Sequence, residues 1–270
     1  MASFLLAGWG KVVMLREDGD RVTSMPLVQW LGTPDQWTLR SQEVQIWLAH
    51  LVESDSQLQR FWSFLAPDEQ ERANRFRFAE HQKRFIACRG ILRSLLGRYL
   101  DQDPVQLRFD YGPQGKPVLS PHTGLVNLQF NLSHSQDYAV YAIAQQSVGI
   151  DLEYIRPLTD LEHLTDRFFS HREHQTIQAL PIEQQAIAFF RHWTCKEALL
   201  KASGQGLGHL QAVEISLDEH QVQVLRLDHQ LEPLNNWTVS LFYPVSGFVA
   251  AIASATAVVR YSFQRWPDTW

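Results

Sequence analysis

Apolar residues along this chain recur with two different periods, and the alternation between them predicts most of its elements. The run Val44-Gln45-Ile46-Trp47-Leu48 alternates faces and predicts a strand. Pro67-Asp68-Glu69 then opens a helix, because proline is tolerated in a first turn and acids suit a helix N-terminus. Over 83–100, Phe85, Cys88, Leu92, Leu95 and Tyr99 step by three and four, which gives one buried helical stripe with Arg84 and Arg89 off it. Gly112-Pro113-Gln114-Gly115 marks a turn. Strands follow at 126–131, 138–144 and 148–152, and their short connections predict an antiparallel meander. A helix ends near Lys201 and is stopped by Gly204. Further strands fall at 222–227, 237–243 and 248–253. Residues 1–40 show little periodicity and are interrupted by Pro26, Gly32 and Pro34, so they read as an irregular extension.

A faint echo joins the two halves of the chain. Arg75-Phe76-Arg77-Phe78 precedes one helix and Arg167-Phe168-Phe169 precedes another. The expected organisation is an extension (1–43), an N-terminal half (44–146), a C-terminal half (147–255) and a tail (256–270). The fold class is α+β (α/β): two similar, pseudo-symmetric halves, each a small, mostly antiparallel sheet packed with helices. A site between such halves is the expected place for a ligand.

Composition narrows the partners. The chain has 270 residues, 45% hydrophobic and 20% charged, enough for a sizeable core. A formal net charge of -5 disfavours nucleic acid and anionic membrane, so an anion site must be a local cation cluster. The two cysteines, Cys88 and Cys195, read as buried thiols of a reduced, cytoplasmic chain. Phe4 to Leu6 lacks the basic flank of a targeting signal, and the weakly polar stretch 247–259 is shorter than the roughly 20 residues that span a bilayer.

Four short segments carry candidate chemistry. In Val148-Gly149-Ile150-Asp151-Leu152-Glu153, alternation puts Val148, Ile150 and Leu152 on the core face and Gly149, Asp151 and Glu153 opposite. The two carboxylates then lie about 6.6 Å apart along the strand. A hard divalent cation would resolve their repulsion, and Gly149 would leave room for a ligand; the plain alternative is a solvated strand end. On the later helix, Glu197 and Lys201 are i and i+4, either a surface ion pair of about 0.3 kcal/mol or a further metal carboxylate beside a phosphate-binding cation. Asn131-Leu132-Ser133-His134-Ser135 reads as a turn between strands that could aim donors at an anion, or as an ordinary polar turn. Gly115-Lys116-Pro117 presents Lys116 from a tight turn that lacks P-loop spacing.

Taken in this order, these segments resemble the Sfp-type 4'-phosphopantetheinyl transferases. The family pattern G-K-P, N-[IL]-S-H-S, [IV]-G-[IV]-D-x-E and W-[STC]-x-K-E-[AS]-x-x-K is met at Gly115 to Pro117, Asn131 to Ser135, Val148 to Glu153 and Trp193 to Lys201. The likeness runs over roughly 44–253. It departs after Pro67, where relatives often carry a lysine and this chain has Glu69; Arg72, one turn on, stands in as the cation.

The resemblance implies an enzyme that moves phosphopantetheine from coenzyme A to a serine of an apo acyl or peptidyl carrier protein, releasing 3',5'-ADP. It implies Mg²⁺, or Mn²⁺ in its place, held by Asp151, Glu153 and Glu197. Glu197 would be the base and Lys201 would meet the leaving group. Ser133 and His134 would hold the 3'-phosphate, with Lys116, Arg72, Arg84 and Arg89 as further cations for coenzyme A. Such an enzyme could act as a monomer in the cytoplasm, on carriers of fatty-acid, polyketide or peptide synthesis. Two other readings use the same residues: a metal-dependent pyrophosphate or nucleotide hydrolase, and a non-catalytic coenzyme A binding module.

Overall fold

The alternating run at 44–48 is the middle of a longer strand, β1 (Glu43–His50), in a computed structural model that describes residues 27–34, 36–120, 128–205, 207–218, 221–228, 236–255 and 260–267. The segment at Phe4 to Leu6 and most of the expected extension lie outside those residues. After β1 come α1 (Asp55–Phe64), α2 (Pro67–Asn74) and α3 (Ala79–Leu100). A small hairpin, β2 (Phe109–Tyr111) and β3 (Pro117–Leu119), precedes β4 (Gln129–Ser135), β5 (Tyr138–Ala144) and β6 (Val148–Tyr154). Helices α4 (Leu161–Phe168), α5 (His171–Gln178) and α6 (Ile182–Ser203) follow. The chain continues through β7 (Val213–Leu217), β8 (Val222–Leu227), β9 (Thr238–Phe242), β10 (Phe248–Ser254) and β11 (Arg260–Arg265). The fold is α+β, as expected.

Two sheets stack face to face. The first has the order β11-β1-β5-β4 and the second β6-β10-β9. Val44, Ile46, Leu48, Val140 and Ala142 of the first meet Val148, Ile150, Leu152, Ala250 and Ile252 of the second in one apolar layer. The other face of the first sheet, with Trp47, Tyr141 and Ile143, packs on α1 and α3. The other face of the second, with Ala251 and Ala253, packs on α6. The layers therefore run helix, sheet, sheet, helix, and the central strands are apolar on both faces because both are covered.

Three local expectations change. The meander stops after two strands: β4 and β5 form an antiparallel hairpin, but β6 leaves for the other sheet and pairs with β10. The periodicity of 148–152 reports only that its two faces differ, not which edge it joins. Asn131 to Ser135 is not a turn but the end of strand β4. Within the expected tail, Arg260–Arg265 is β11, parallel to β1, and Leu31 of the expected extension bridges to Gln264.

Each half carries a buried acid clamped to its long helix. Glu69 is the third residue of α2, where its side chain accepts from the Ala66 backbone N–H at 2.9 Å. It also receives Arg89 Nε at 2.7 Å and Arg93 Nε at 2.6 Å, both from the 22-residue α3. Glu173 is likewise the third residue of α5, accepts from the Ser170 N–H, and receives Lys196 Nζ at 2.7 Å from the 22-residue α6. A capping-box acid bonded to a cation of the following long helix thus occurs in both places. Removing one partner of a buried pair strands the other charge, so Glu69→Ala is expected to lower unfolding free energy by about 3–5 kcal/mol, read by urea denaturation.

Candidate functional site

Candidate residues from three of the four segments collect where edge strand β4 of one sheet meets edge strand β6 of the other, beside the C-terminal half of α6. The outward face of β6 places Gly149, Asp151 and Glu153 toward α6 while Val148, Ile150 and Leu152 enter the core, as alternation predicts. Gly149 has a different reason from the one its sequence suggests. A Cβ there would fall well under 3.0 Å from the Ala198 carbonyl oxygen and the Ala202 nitrogen. The missing side chain admits the helix backbone, not a ligand.

Asp151 is buried and bonded on one oxygen only. Its Oδ1 accepts from Lys201 Nζ at 2.6 Å and Ser133 Oγ at 2.9 Å, while Oδ2 is buried without a hydrogen-bond partner. Lys201 also donates to Ser133 Oγ at 3.2 Å and the Ile150 carbonyl at 3.3 Å, so it turns across to β6 instead of forming a surface pair along its own helix. Glu197 is 3% exposed. Burial, and then the charge of Asp151, push its pKa up to about 7. Glu153 is raised to about 7 by the same two causes in the same order. Each therefore responds to the negative charge of Asp151.

Among the described residues, no three acidic, histidine or cysteine side chains converge as a ready-made metal cluster. Lys201 and Ser133 fill the space at Asp151 Oδ1 instead. The donor set nonetheless suits a hard cation. A buried carboxylate oxygen has no partner, and two neighbouring carboxyls are held above their usual range by burial and by like charge.

The expected anion-binding residues separate into two groups. His134 lies on the opposite face of β4 from Ser133 and is exposed, yet surrounding protein withdraws enough water to lower its pKa, with the charges of Lys201, Arg84 and Arg72 adding to the effect. Arg72 is exposed on α2, with its guanidinium 5.4 Å from the centre of the Phe85 ring. Arg84 is held by Asp137, from Nε at 2.8 Å, and by Glu80. Arg89 is not brought to this surface; it is buried with Glu69 and donates to Tyr111 Oη at 3.0 Å. Lys116 crosses from its hairpin to the other half and donates to the carbonyls of Lys201 at 2.7 Å and Val148 at 3.1 Å. Burial, and then the charge of Lys201, lower its pKa to about 8. A surface groove of about 810 Å³ lined by Ser170, His171, Arg172 and Arg226 shares none of these side chains.

Sequence reasoning did not find Asn131 as a participant. Its Oδ1 accepts from the Ile150 N–H at 2.8 Å, across the gap between the sheets. The signal was present: Asn131, Ser133 and Ser135 are spaced by two, so once the segment is a strand they share one face.

Comparison with known proteins identifies the family. Residues 147–253 match the 4'-phosphopantetheinyl transferase superfamily, and residues 52–146 match the family described as 4'-phosphopantetheinyl transferase, N-terminal. The chain is 46% identical to the 4'-phosphopantetheinyl transferase HetI of Nostoc sp. over 84% of its length and 93% of that protein. It is 34% identical to the 4'-phosphopantetheinyl transferase psf-1 of Bacillus pumilus over 64% of its length and 73% of that protein. It is 32% identical to the 4'-phosphopantetheinyl transferase Sfp of Bacillus subtilis over 57% of its length and 66% of that protein. The hydrolase and binding-module readings find no support among these relatives.

Proposed function

Because the chain belongs to the 4'-phosphopantetheinyl transferase superfamily, we propose that its reaction takes place at the junction of β4, β6 and α6, with Glu197 and Lys201 as the reacting side chains. The protein is a transferase that acts on coenzyme A and a carrier protein. In the reaction, a carrier serine oxygen forms a bond to the phosphorus that bears pantetheine. The bond from that phosphorus to the bridging pyrophosphate oxygen breaks, and 3',5'-ADP leaves. Phosphoryl transfer of this kind asks the protein mainly to position the partners and to neutralise charge.

The observation that carries this assignment is the partnerless buried Oδ2 of Asp151, next to two carboxyls whose pKa values stand near 7. Asp151, Glu153 and Glu197 would hold Mg²⁺, or Mn²⁺ in its place. That ion would supply positive charge to the pyrophosphate oxygens as the bond breaks. Glu197, directly or through a water, would take the serine proton. Lys201, released from Asp151, donates a hydrogen bond to the departing oxygen. His134 would offer an N–H to the 3'-phosphate, with Arg72 and Arg84 adding charge nearby. Ser133 holds Asp151 from β4 and is next to His134 on the same strand.

Among the described residues, no helix is long and apolar enough to cross a membrane. The described thiols, Cys88 and Cys195, are free and buried, which suits work in the cytoplasm. In this reading the enzyme acts as a monomer.

Asp151→Asn tests the assignment. It keeps the shape of the side chain and removes its charge. Transfer of labelled phosphopantetheine to an apo carrier protein is expected to fall by roughly 10³-fold or more, with Mg²⁺ affinity weakened in parallel. A variant that transfers at the parent rate, or a parent that does so in excess chelator, rejects the site. Loss of coenzyme A in the absence of carrier protein would reveal a hydrolase instead.

A further inference from the structure

The free edge of β6 is closed by side chains rather than by another strand. β6 pairs with β10 on one side, and among the described residues no strand pairs with it on the other. In an antiparallel ladder alternate residues turn both backbone groups to the same side. Residues 148, 150 and 154 turn theirs to this open edge, where side chains meet them. Lys116 Nζ donates to the Val148 carbonyl at 3.1 Å. Asn131 Oδ1 accepts from the Ile150 N–H at 2.8 Å, and Lys201 donates to the Ile150 carbonyl at 3.3 Å. Ser135 Oγ accepts from the Tyr154 N–H at 3.1 Å. Between these rungs, Ser133 Oγ donates to Asp151 Oδ1 at 2.9 Å.

Apart from Lys201, every one of these side chains comes from the first half of the chain. Lys116 adds a second fastening, since its bond to the Lys201 carbonyl at 2.7 Å lies in the last turn of α6. The carbonyls of a helix C-terminus lack partners within the helix, and a cation there suits both the bonding and the dipole. One ammonium thus ties the β2–β3 hairpin to β6 and to the end of the helix that carries Glu197 and Lys201. The hairpin in turn is anchored by Tyr111 Oη, which accepts from buried Arg89 at 3.0 Å. Gly115, at φ 77°, allows the turn that aims Lys116 across.

We propose that Lys116 and Asn131 are positioning residues of the transferase reaction: they fix the free edge of β6 and the end of α6 to the first half, and so set Asp151, Glu197 and Lys201 in register. The proposal rests on the assignment of the reaction to this junction. It reassigns the Gly-Lys-Pro turn and the alternate residues of the Asn-x-Ser-x-Ser strand from gripping phosphate to joining two sheets. A phosphate ligand and a fastening differ in what their loss does. Removing a ligand weakens coenzyme A binding. Removing a fastening loosens backbone in the free enzyme and slows turnover, because a small displacement of reacting groups is costly.

The test uses Lys116→Met and Asn131→Ala in the full chain, with two measurements. The first is amide hydrogen exchange of the free enzyme, without coenzyme A or metal. Exchange at Ile150 is expected to speed up at least tenfold in Asn131→Ala, and at 201–205 in Lys116→Met. The second is steady-state transfer to an apo carrier protein. Here kcat is expected to fall by about 10–100-fold while KM for coenzyme A stays within about threefold. Unchanged exchange in both variants, or a tenfold rise in KM for coenzyme A at unchanged kcat, overturns the proposal. If Asn131→Ala does not fold, Asn131→Asp retains the acceptor oxygen and should keep Ile150 protected; loss of that protection would also count against it. Exchange requires no activity, so if the parent fails to transfer phosphopantetheine, the functional assignment falls while the fastening is still decided.

Discussion

Replacing Glu197 by Gln should reduce carrier-protein modification by about 10²–10⁴-fold and, in chelator at pH 8, leave a protein more stable than the parent. Both effects have one source. The Glu197 carboxyl is raised from 4.5 to about 7 by burial first and by Asp151 next. Between those values the folded chain keeps a proton that the unfolded chain has released. Stability therefore falls as pH rises from about 4.5 through 7, and the full penalty stands above 7. A shift of that size corresponds to up to about 3 kcal/mol. Glutamine carries no charge to desolvate, so the variant escapes its share, while Glu153 continues to impose its own. Urea denaturation at pH 5 and pH 8, with divalent ions chelated, should show a smaller pH-dependent loss in the variant. Added Mg²⁺ should stabilise the parent more than the variant, because an ion that binds only the folded form shifts the equilibrium toward it. Parent-like turnover in the Glu197→Gln enzyme would remove Glu197 from the reaction.

Gly149→Ala is expected to be severely destabilising, by about 3–5 kcal/mol or to the point of misfolding, although it adds a single methyl group to a strand. The new Cβ would press on the backbone of α6 at Ala198 and Ala202, which cannot rotate out of the way as a side chain could. Relief requires α6 to move away from β6, which would carry Glu197 and Lys201 away from Asp151. A soluble variant should therefore show both a lowered melting temperature and lost transfer. The neighbouring Ser147 Oγ, which donates to the Ala202 carbonyl at 2.6 Å, would be displaced with it. Were Gly149 there to make space for a ligand, the methyl would impair substrate binding and leave the melting temperature unchanged.

How much of this could be read beforehand depended on the range of the interaction. The strand at 138–144 and the helix ending at Gly204 were legible because period and punctuation are local properties. So was the division of faces along 148–153, and with it the pairing of Asp151 with Glu153. The identity of the chemistry was legible in the order of four motifs. The meander failed because a strand's pattern does not name its neighbour, and β6 found β10 about a hundred residues onward. Val213–Leu217 went unnoticed as a strand because it is short and lies just beyond a helix and its connection.

Arg89 marks the boundary clearly. In sequence it is a cation off the apolar stripe of a helix, suitable for phosphate; in space it is buried against Glu69, twenty positions earlier. Lys116 is similar: a lysine in a Gly-Pro turn looks solvated, yet it reaches two carbonyls of the other half. The amino-acid sequence by itself determined which residues share a face, where helices stop and, through the order of four motifs, to which family the chain belongs. Only the tertiary structure decided which edges meet, which charges are spent on one another and why Gly149 lacks a side chain. The physical reason is that periodicity records the local geometry of one element, whereas the partner of a buried charge or an open strand edge is set by whatever distant segment the packing of the layers brings beside it.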